Sequence, residues 1–278
     1  MHVDSSIVDA SRRILAGLKT LLREHYGDAY YGNVVGEGVS GDVTRRIDLL
    51  AEEYVVEEFS RAGFNTWVIS EEKGVYKLRE RAEYIVLLDP LDGSLNYASQ
   101  IPFSSVSIAV YKASDPPPLL HEAIYGVVAS IFSDIQVEYV NGKVLYNGRV
   151  FEQRAGKNTG FKVASIYFDS VEELSILRDM FMNHTGGFKL RVMGSAALEA
   201  TLAALGLIDY FISLTGRLRN TDVALAVATA ERLGGRVLVD PPLSNLRVDG
   251  VKILRRLAIG SSRDAFMEEL RNRWFSGG

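Results

Sequence analysis

Acidic residues gather where a strand pattern ends or a helix pattern begins. Asp89 and Asp92 close the apolar run of "YIVLLDPLDGSLNY", Glu71 and Glu72 follow "WVIS", and Asp222 opens "NTDVALAVATAERLG". Asp48 stands in the first turn of "RRIDLLAEEYVVEEFSRAG". In α/β proteins, sites collect at the carboxyl ends of strands, where loops bring side chains together. Each acid also has an ordinary structural use: Asp-Pro-x-Asp-Gly suits a turn, and an acid at a helix start suits the dipole. On element ends that face one another, however, so many carboxylates repel unless a cation lies between them.

The donor set narrows the cation. An EF-hand needs acids at alternate positions before its glycine, and "DPLDG" is spaced differently. The four histidines, His2, His25, His121 and His184, lie outside the acidic clusters, which argues against zinc. All-oxygen ligation by carboxylates selects Mg²⁺ or Mn²⁺. Gly93 and Ser94 then begin a short helix, whose free N–H groups attract anions. A metal cluster beside an anion-binding helix start is a phosphate site. The Ser94 hydroxyl either orients a water, with Asp48 accepting its proton, or acts as a plain helix cap.

These side chains need elements to hold them. Ile7, Ile14, Leu18 and Leu22 recur at helical spacing near the N-terminus. A glycine-rich loop, "YYGNVVGEGVSGDVT", precedes a helix buried through Ile47, Leu50, Ala51, Tyr54, Val55 and Phe59 and stopped by Gly63. "NTWVIS" and "AEYIVLLD" read as strands. From Ser104 the period becomes two, predicting antiparallel strands with "NGK" and "NGR" as hairpin turns. After "FKVASIYF" strands and helices alternate, the mark of α/β structure. The shift in pattern near Arg154 to Gly160 places a boundary between residues 1–157, helices plus an antiparallel sheet, and residues 158–278, an α/β unit carrying Asp222.

Composition sets the outer bounds. The 278 residues suffice for one large domain or two moderate ones. The formal charge of −4 is too mild for a nucleic-acid-binding face. With no cysteine, thiol nucleophiles, disulfides and iron–sulfur clusters are excluded. No segment has the roughly 20 uncharged apolar residues of a membrane span, and the N-terminal run carries charges where a signal peptide would be apolar. A soluble, cytoplasmic protein is expected.

"DPLDGSLNY" resembles the D-P-[IL]-D-G-[ST]-x-N-[FY] signature of the inositol monophosphatase family, Mg²⁺-dependent, lithium-sensitive phosphomonoesterases that include archaeal enzymes acting on fructose 1,6-bisphosphate. "GDVTRRIDLLAEE" is similar to the family's D-x-x-T…D-x-x-x-E segment and "ISEEKG" to its "GEE" segment. "GSAALEATLAALGLIDYFI" and "TDVALAVATAERLGG" match its later motifs in order, so the resemblance runs from residue 42 to 235. It implies a layered αβαβα sandwich of the sugar-phosphatase type, with the site between the two halves, and a homodimer.

Residue by residue, the resemblance implies metal ligation by Glu71, Asp89, the Leu91 carbonyl, Asp92 and Asp222, for two to three Mg²⁺ or Mn²⁺ ions. A third ion would lie on the "GEGVSGD" loop. Ser94 with Asp48 becomes the water-activating pair, Gly93 and Ser94 receive the phosphate, and Gly194, Ser195 and Ala196 face the sugar alongside Asp92. Two departures stand out. Ser94 occupies a position where the family usually has Thr, and "GRLRNT" replaces an acidic, tryptophan-bearing stretch before Asp222. Arg191, Arg217 and Arg219 therefore stand near the expected substrate mouth, as surface charges or as readers of a second phosphate. Arg191 and Arg217 are the expected contacts of a sugar bisphosphate. A 3′-phosphoadenosine 5′-phosphate phosphatase and a non-catalytic regulator that binds metal and sugar phosphate are the competing readings.

Overall fold

The computed structural model describes residues 4–39, 41, 43–152, 160–183, 187–260 and 264–275. The expected boundary at 154–160 falls largely outside these residues, as do His2, His184, Ser40 and Asp42.

Helix α1 (Ser5–Glu24) starts where the Asp4 carboxylate accepts the Ser6 N–H, and it buries the predicted stripe of Ile7, Ile14, Leu18 and Leu22. A one-turn α2 (Ala29–Gly32) and the hairpin β1 (Val34–Glu37) and β2 (Val43–Arg45) lead into α3 (Arg46–Arg61). There follow β3 (Thr66–Ser70), β4 (Gly74–Lys77), β5 (Tyr84–Asp92), α4 (Ser94–Ala98), β6 (Ser105–Lys112), β7 (Tyr125–Ser130), β8 (Gln136–Val140), β9 (Lys143–Tyr146) and β10 (Arg149–Val150). Strands β3 to β10 form one eight-stranded sheet in the order β10-β9-β8-β7-β6-β5-β3-β4, parallel only between β3 and β5. Both Asn-Gly turns act as expected: Asn141 and Gly142, and Asn147 and Gly148, all adopt positive φ, the geometry a two-residue hairpin needs.

The second half contains β11 (Lys162–Tyr167), α5 (Val171–Asn183), β12 (Phe188–Arg191), α6 (Ala196–Ala204), β13 (Tyr210–Ser213), β14 (Leu218–Arg219), α7 (Asn220–Arg232), β15 (Arg236–Asp240), β16 (Ile253–Leu254), β17 (Arg256–Gly260) and α8 (Ala265–Leu270). Its sheet is mixed, ordered β12-β11-β13-β17-β15, with parallel pairs only at β12-β11-β13. Strand β17 was not expected from "RRLAIG", because five residues opening on Arg are too few to show a period.

Five layers result, as the αβαβα expectation has it. Helices α1 and α3 cover one face of the large sheet through Ile7, Leu18, Ile47 and Phe59 against Val86, Leu88, Val106 and Ile108. Helices α6 and α7 fill the centre, where Leu198, Ala203, Val223 and Leu225 meet Leu87 and Ala109 of one sheet and Phe211 and Ile259 of the other. Helices α5 and α8 close the far side through Leu177, Met180 and Phe266. Strand β5 is buried on both faces, which explains its unbroken apolar run. The central helices touch both sheets, so the two halves share one continuous core.

Candidate active site

Strand β5 ends in a bulge. Asp89 pairs with Ser107 and Asp92 with Ser105, so Pro90 and Leu91 stand against the single Val106 of β6. Pro90 lies inside the irregularity, where its missing N–H leaves no ladder bond unmade. The extra residue re-aims the strand end so that Asp89, Pro90, Leu91 and Asp92 all line one small polar pocket. Asp48, Glu71, Glu72, Gly93, Ser94 and Arg219 complete its wall, around about 40 Å³ of space, room for ions and waters.

Two helices hold their first-turn acids in the same way. The Asp48 carboxylate accepts the Arg45 N–H at 2.7 Å at the start of α3. The Asp222 carboxylate accepts the Arg219 N–H at 2.8 Å at the start of α7. In each, the acid three residues on caps a helix preceded by arginine. Glu71 and Glu72 reach the pocket on the β3–β4 turn, and that turn is held by Glu52: its Oε2 accepts the N–H groups of Glu72 (3.1 Å) and Lys73 (3.4 Å), its Oε1 the hydroxyl of Tyr76 (2.6 Å). Thr44 donates to Glu72 from the other side.

The carboxylates of Glu71, Asp89 and Asp222 converge, each offering an oxygen within 4.8 Å of the others. Asp89 is 1% exposed; its Oδ1 accepts the Leu91 N–H at 3.1 Å, and its Oδ2 has no partner among the described residues. Asp48 Oδ1 is likewise buried without a partner. Burial pushes the Asp48 carboxyl up to about 7. It also lifts Glu71 and Asp89 well above the ordinary carboxylate range, reinforced at Asp89 by the charges of Glu71, Asp92 and Asp222. Buried acids with open lone pairs that repel one another fit a hard divalent cation. The trio can therefore hold a metal ion.

Asp92, also expected as a metal ligand, lines the pocket beside Asp89 but is not among the three acids whose oxygens converge. Its Oδ2 accepts from Ser105 Oγ (3.1 Å), Ala197 N (3.1 Å) and Ser195 Oγ, and its Oδ1 from Ala196 N (3.1 Å). Asp92 thus caps α6, the helix that carries the expected sugar-side residues. Those donors favour the ionised form, yet burial and the nearby Asp222 still push Asp92 up to about 7.

Gly93 follows in the left-handed region at φ 83°. A Cβ there would lie 2.7 Å from the Gly194 carbonyl, so this position admits only glycine without movement. Asn96 stitches the same two loops, its amide donating to the carbonyls of Phe103 (2.7 Å) and Met193 (2.6 Å). Glu199 fixes the second loop by accepting from Ser165 Oγ, Tyr167 and the N–H groups of Met193, Gly194 and Ser195. Gly194, Ser195 and Ala196 are in this way brought to Gly93. Gly93→Ala should cost about 1–2 kcal/mol from backbone conformation alone, more with the clash, and lower the thermal midpoint by several degrees. An unchanged midpoint would show that the two loops are not packed backbone to backbone.

Three expectations need correction. Among the described residues Ser94 Oγ does not bond to Asp48; it accepts from Nη1 of Arg45, the N-cap residue of α3, at 3.3 Å. Arg217 does not line the pocket. Gly216, at φ 65°, turns the chain before it, and the side chain, 70% exposed, pairs with Asp169 at 3.3 Å. Arg191 lies exposed on the edge strand β12, donating to the Leu190 carbonyl. The cation that does enter is Arg219, paired with Glu71 and Asp222. Sequence reasoning named Arg219 among the nearby cations, as a surface charge or a reader of a second phosphate, and did not foresee its pairing with Glu71 and Asp222; Arg45, Glu52, Asn96 and Glu199 carried no signal beyond the motifs that contain them.

The inositol monophosphatase family model matches residues 4–268. The chain belongs to that family. Membership makes it a phosphomonoesterase. Among relatives, the inositol-1-monophosphatase of Aeropyrum pernix is 34% identical over 233 residues, 83% of this chain and 84% of that one. The fructose-1,6-bisphosphatase/inositol-1-monophosphatase of Thermococcus kodakarensis is 31% identical over 216 residues, 76% and 75% of the two chains. The fold is that of the suhB extragenic suppressor protein from Bartonella henselae, with a TM-score of 0.75 and 20% identity over 98% of this chain and 99% of that one. No described helix is long and apolar enough to cross a membrane.

Proposed function

We propose that this chain is a Mg²⁺- or Mn²⁺-dependent phosphatase of small phosphorylated sugars and cyclitols, with fructose 1,6-bisphosphate and inositol 1-phosphate as substrates. The observation that carries the reading is the trio of Glu71, Asp89 and Asp222, whose oxygens lie within 4.8 Å of one another. With the carbonyl of Leu91, a residue that lines the pocket beside Glu71 and Asp89, these residues would hold the cations, two to three in number. A bound divalent cation supplies charge neutralisation at phosphoryl oxygens and lowers the pKa of water.

The remaining work falls to the chain. The Gly93–Ser94 turn, held open by a positive φ, presents backbone amides to the phosphate. Arg45 orients the Ser94 hydroxyl. Asp48, pushed up to about 7 with Oδ1 free of other donors, takes the proton of the attacking water. The water oxygen bonds to phosphorus, the ester P–O bond breaks, and the leaving oxygen departs as the sugar hydroxyl once protonated from solvent. Asp92 and Glu199 keep the N-terminus of α6 and the Gly194–Ser195–Ala196 loop in place for the sugar.

Phosphate release from fructose 1,6-bisphosphate, inositol 1-phosphate and 3′-phosphoadenosine 5′-phosphate, assayed side by side, tests the reading. Both sugar-type substrates should turn over with Mg²⁺, and a chelator should abolish turnover. Full activity in chelator, or turnover of the nucleotide alone, would overturn it.

A further inference from the structure

Arg219 occupies an unusual place for a cation in a metal-binding cluster. Its backbone N–H donates to Asp222 at 2.8 Å, which sets the side chain at the mouth of α7. The side chain is 13% exposed. Its Nη1 pairs with Glu71, and its Nε lies 3.4 Å from Asp222 Oδ1. One guanidinium therefore spans two of the three carboxylates that would hold the cation. We propose that Arg219 is a built-in counter-ion: it neutralises the ligands in the metal-free protein, and a divalent ion must displace it, after which the guanidinium is handed to the substrate phosphate. The inference rests on the metal-dependent phosphatase reading above.

The physics is an exchange of charges. Buried carboxylates this close need a positive partner, and in the metal-free chain a single guanidinium supplies it. A dication brings twice the charge and needs the same oxygens. Dication and guanidinium repel at that range, so the two do not share the site. Arginine suits the first role because its planar fork reaches two carboxylates at once, and the second because the same fork matches phosphate. Arg219 lines the pocket together with Gly93 and Ser94, so the phosphate they receive lies within its sweep. A phosphate that captures the released guanidinium makes metal entry easier. By linkage, metal makes phosphate binding tighter by the same factor.

Calorimetric titration of Mn²⁺ into the chelator-treated protein tests this without any turnover. Arg219→Ala and the bulkier Arg219→Gln should each bind Mn²⁺ about ten-fold more tightly than the wild type, with a lower thermal midpoint in the absence of metal. Inorganic phosphate should strengthen Mn²⁺ binding to the wild type and leave both variants nearly unaffected. Two variants of different size guard against a misfolded one. Unchanged or weaker Mn²⁺ binding in the folded variants, or phosphate strengthening them as much as the wild type, would overturn the exchange. Asp89→Asn is the control for the site itself. If it binds Mn²⁺ as the wild type does, the carboxylate trio is not the metal site, and both readings fall together.

Discussion

Asp89→Asn is expected to lower the phosphatase rate by about a hundred- to a thousand-fold, the loss typical of removing one strong electrostatic contact from a preorganised site. The same change should leave the metal-free fold as stable as before. Asn keeps an Oδ1 that accepts the Leu91 N–H, the bond that shapes the bulge at 3.1 Å. What it removes is a charge that burial and the neighbouring Glu71, Asp92 and Asp222 all oppose. Rate and stability should therefore separate, which a core defect would not allow. Circular dichroism melts alongside phosphate release check both arms. A variant that retains a tenth of the wild-type rate, or one that melts far below it, would refute the role given to Asp89.

Metal-free protein should lose stability as the pH rises from about 5 to 8, and Mg²⁺ should restore it more at pH 8 than at pH 5. Asp48 and Asp92 are pushed from 3.8 to about 7, and Glu71 and Asp89 are raised as well, burial being the first cause in each. The folded chain then holds protons that the unfolded chain has released. Stability is fully present below the unfolded carboxyl range and is lost as pH climbs toward the folded values. Each such group contributes on the order of 1 kcal/mol per pH unit within that window. Mg²⁺ binds the ionised carboxylates, so its stabilisation runs the other way and grows with pH. Urea midpoints at pH 5 and pH 8, with chelator and with Mg²⁺, give the four numbers required. Metal-free stability that is flat or rising, or equal Mg²⁺ protection at both pH values, would contradict the buried-ligand account.

Much of this was legible in the chain itself because it is written in local patterns. The apolar stripe of α1, the two Asn-Gly turns and the unbroken run of β5 follow from the period of side chains along a helix or strand and from backbone angles few residues tolerate. The acids at strand and helix ends were visible for the same reason, and a tight motif such as "DPLDGSLNY" concentrates them in one line of text. The five-layer architecture came with the resemblance to the family. Partnership across the fold was not legible. Arg219 and Glu71 are 148 residues apart, and it takes the packing of α7 against the large sheet to bring them into contact. Nothing in "GRLRNT" says that Arg219 turns inward while Arg217, two residues earlier, stays in solvent with Asp169. Asp92 shows the same limit: its motif implies a metal ligand and a sugar-side contact, and only the fold shows that Ser195, Ala196 and Ala197 also make it a helix cap. A side chain's type is fixed by the sequence, but the charge it faces is set by whichever distant backbone the core brings beside it.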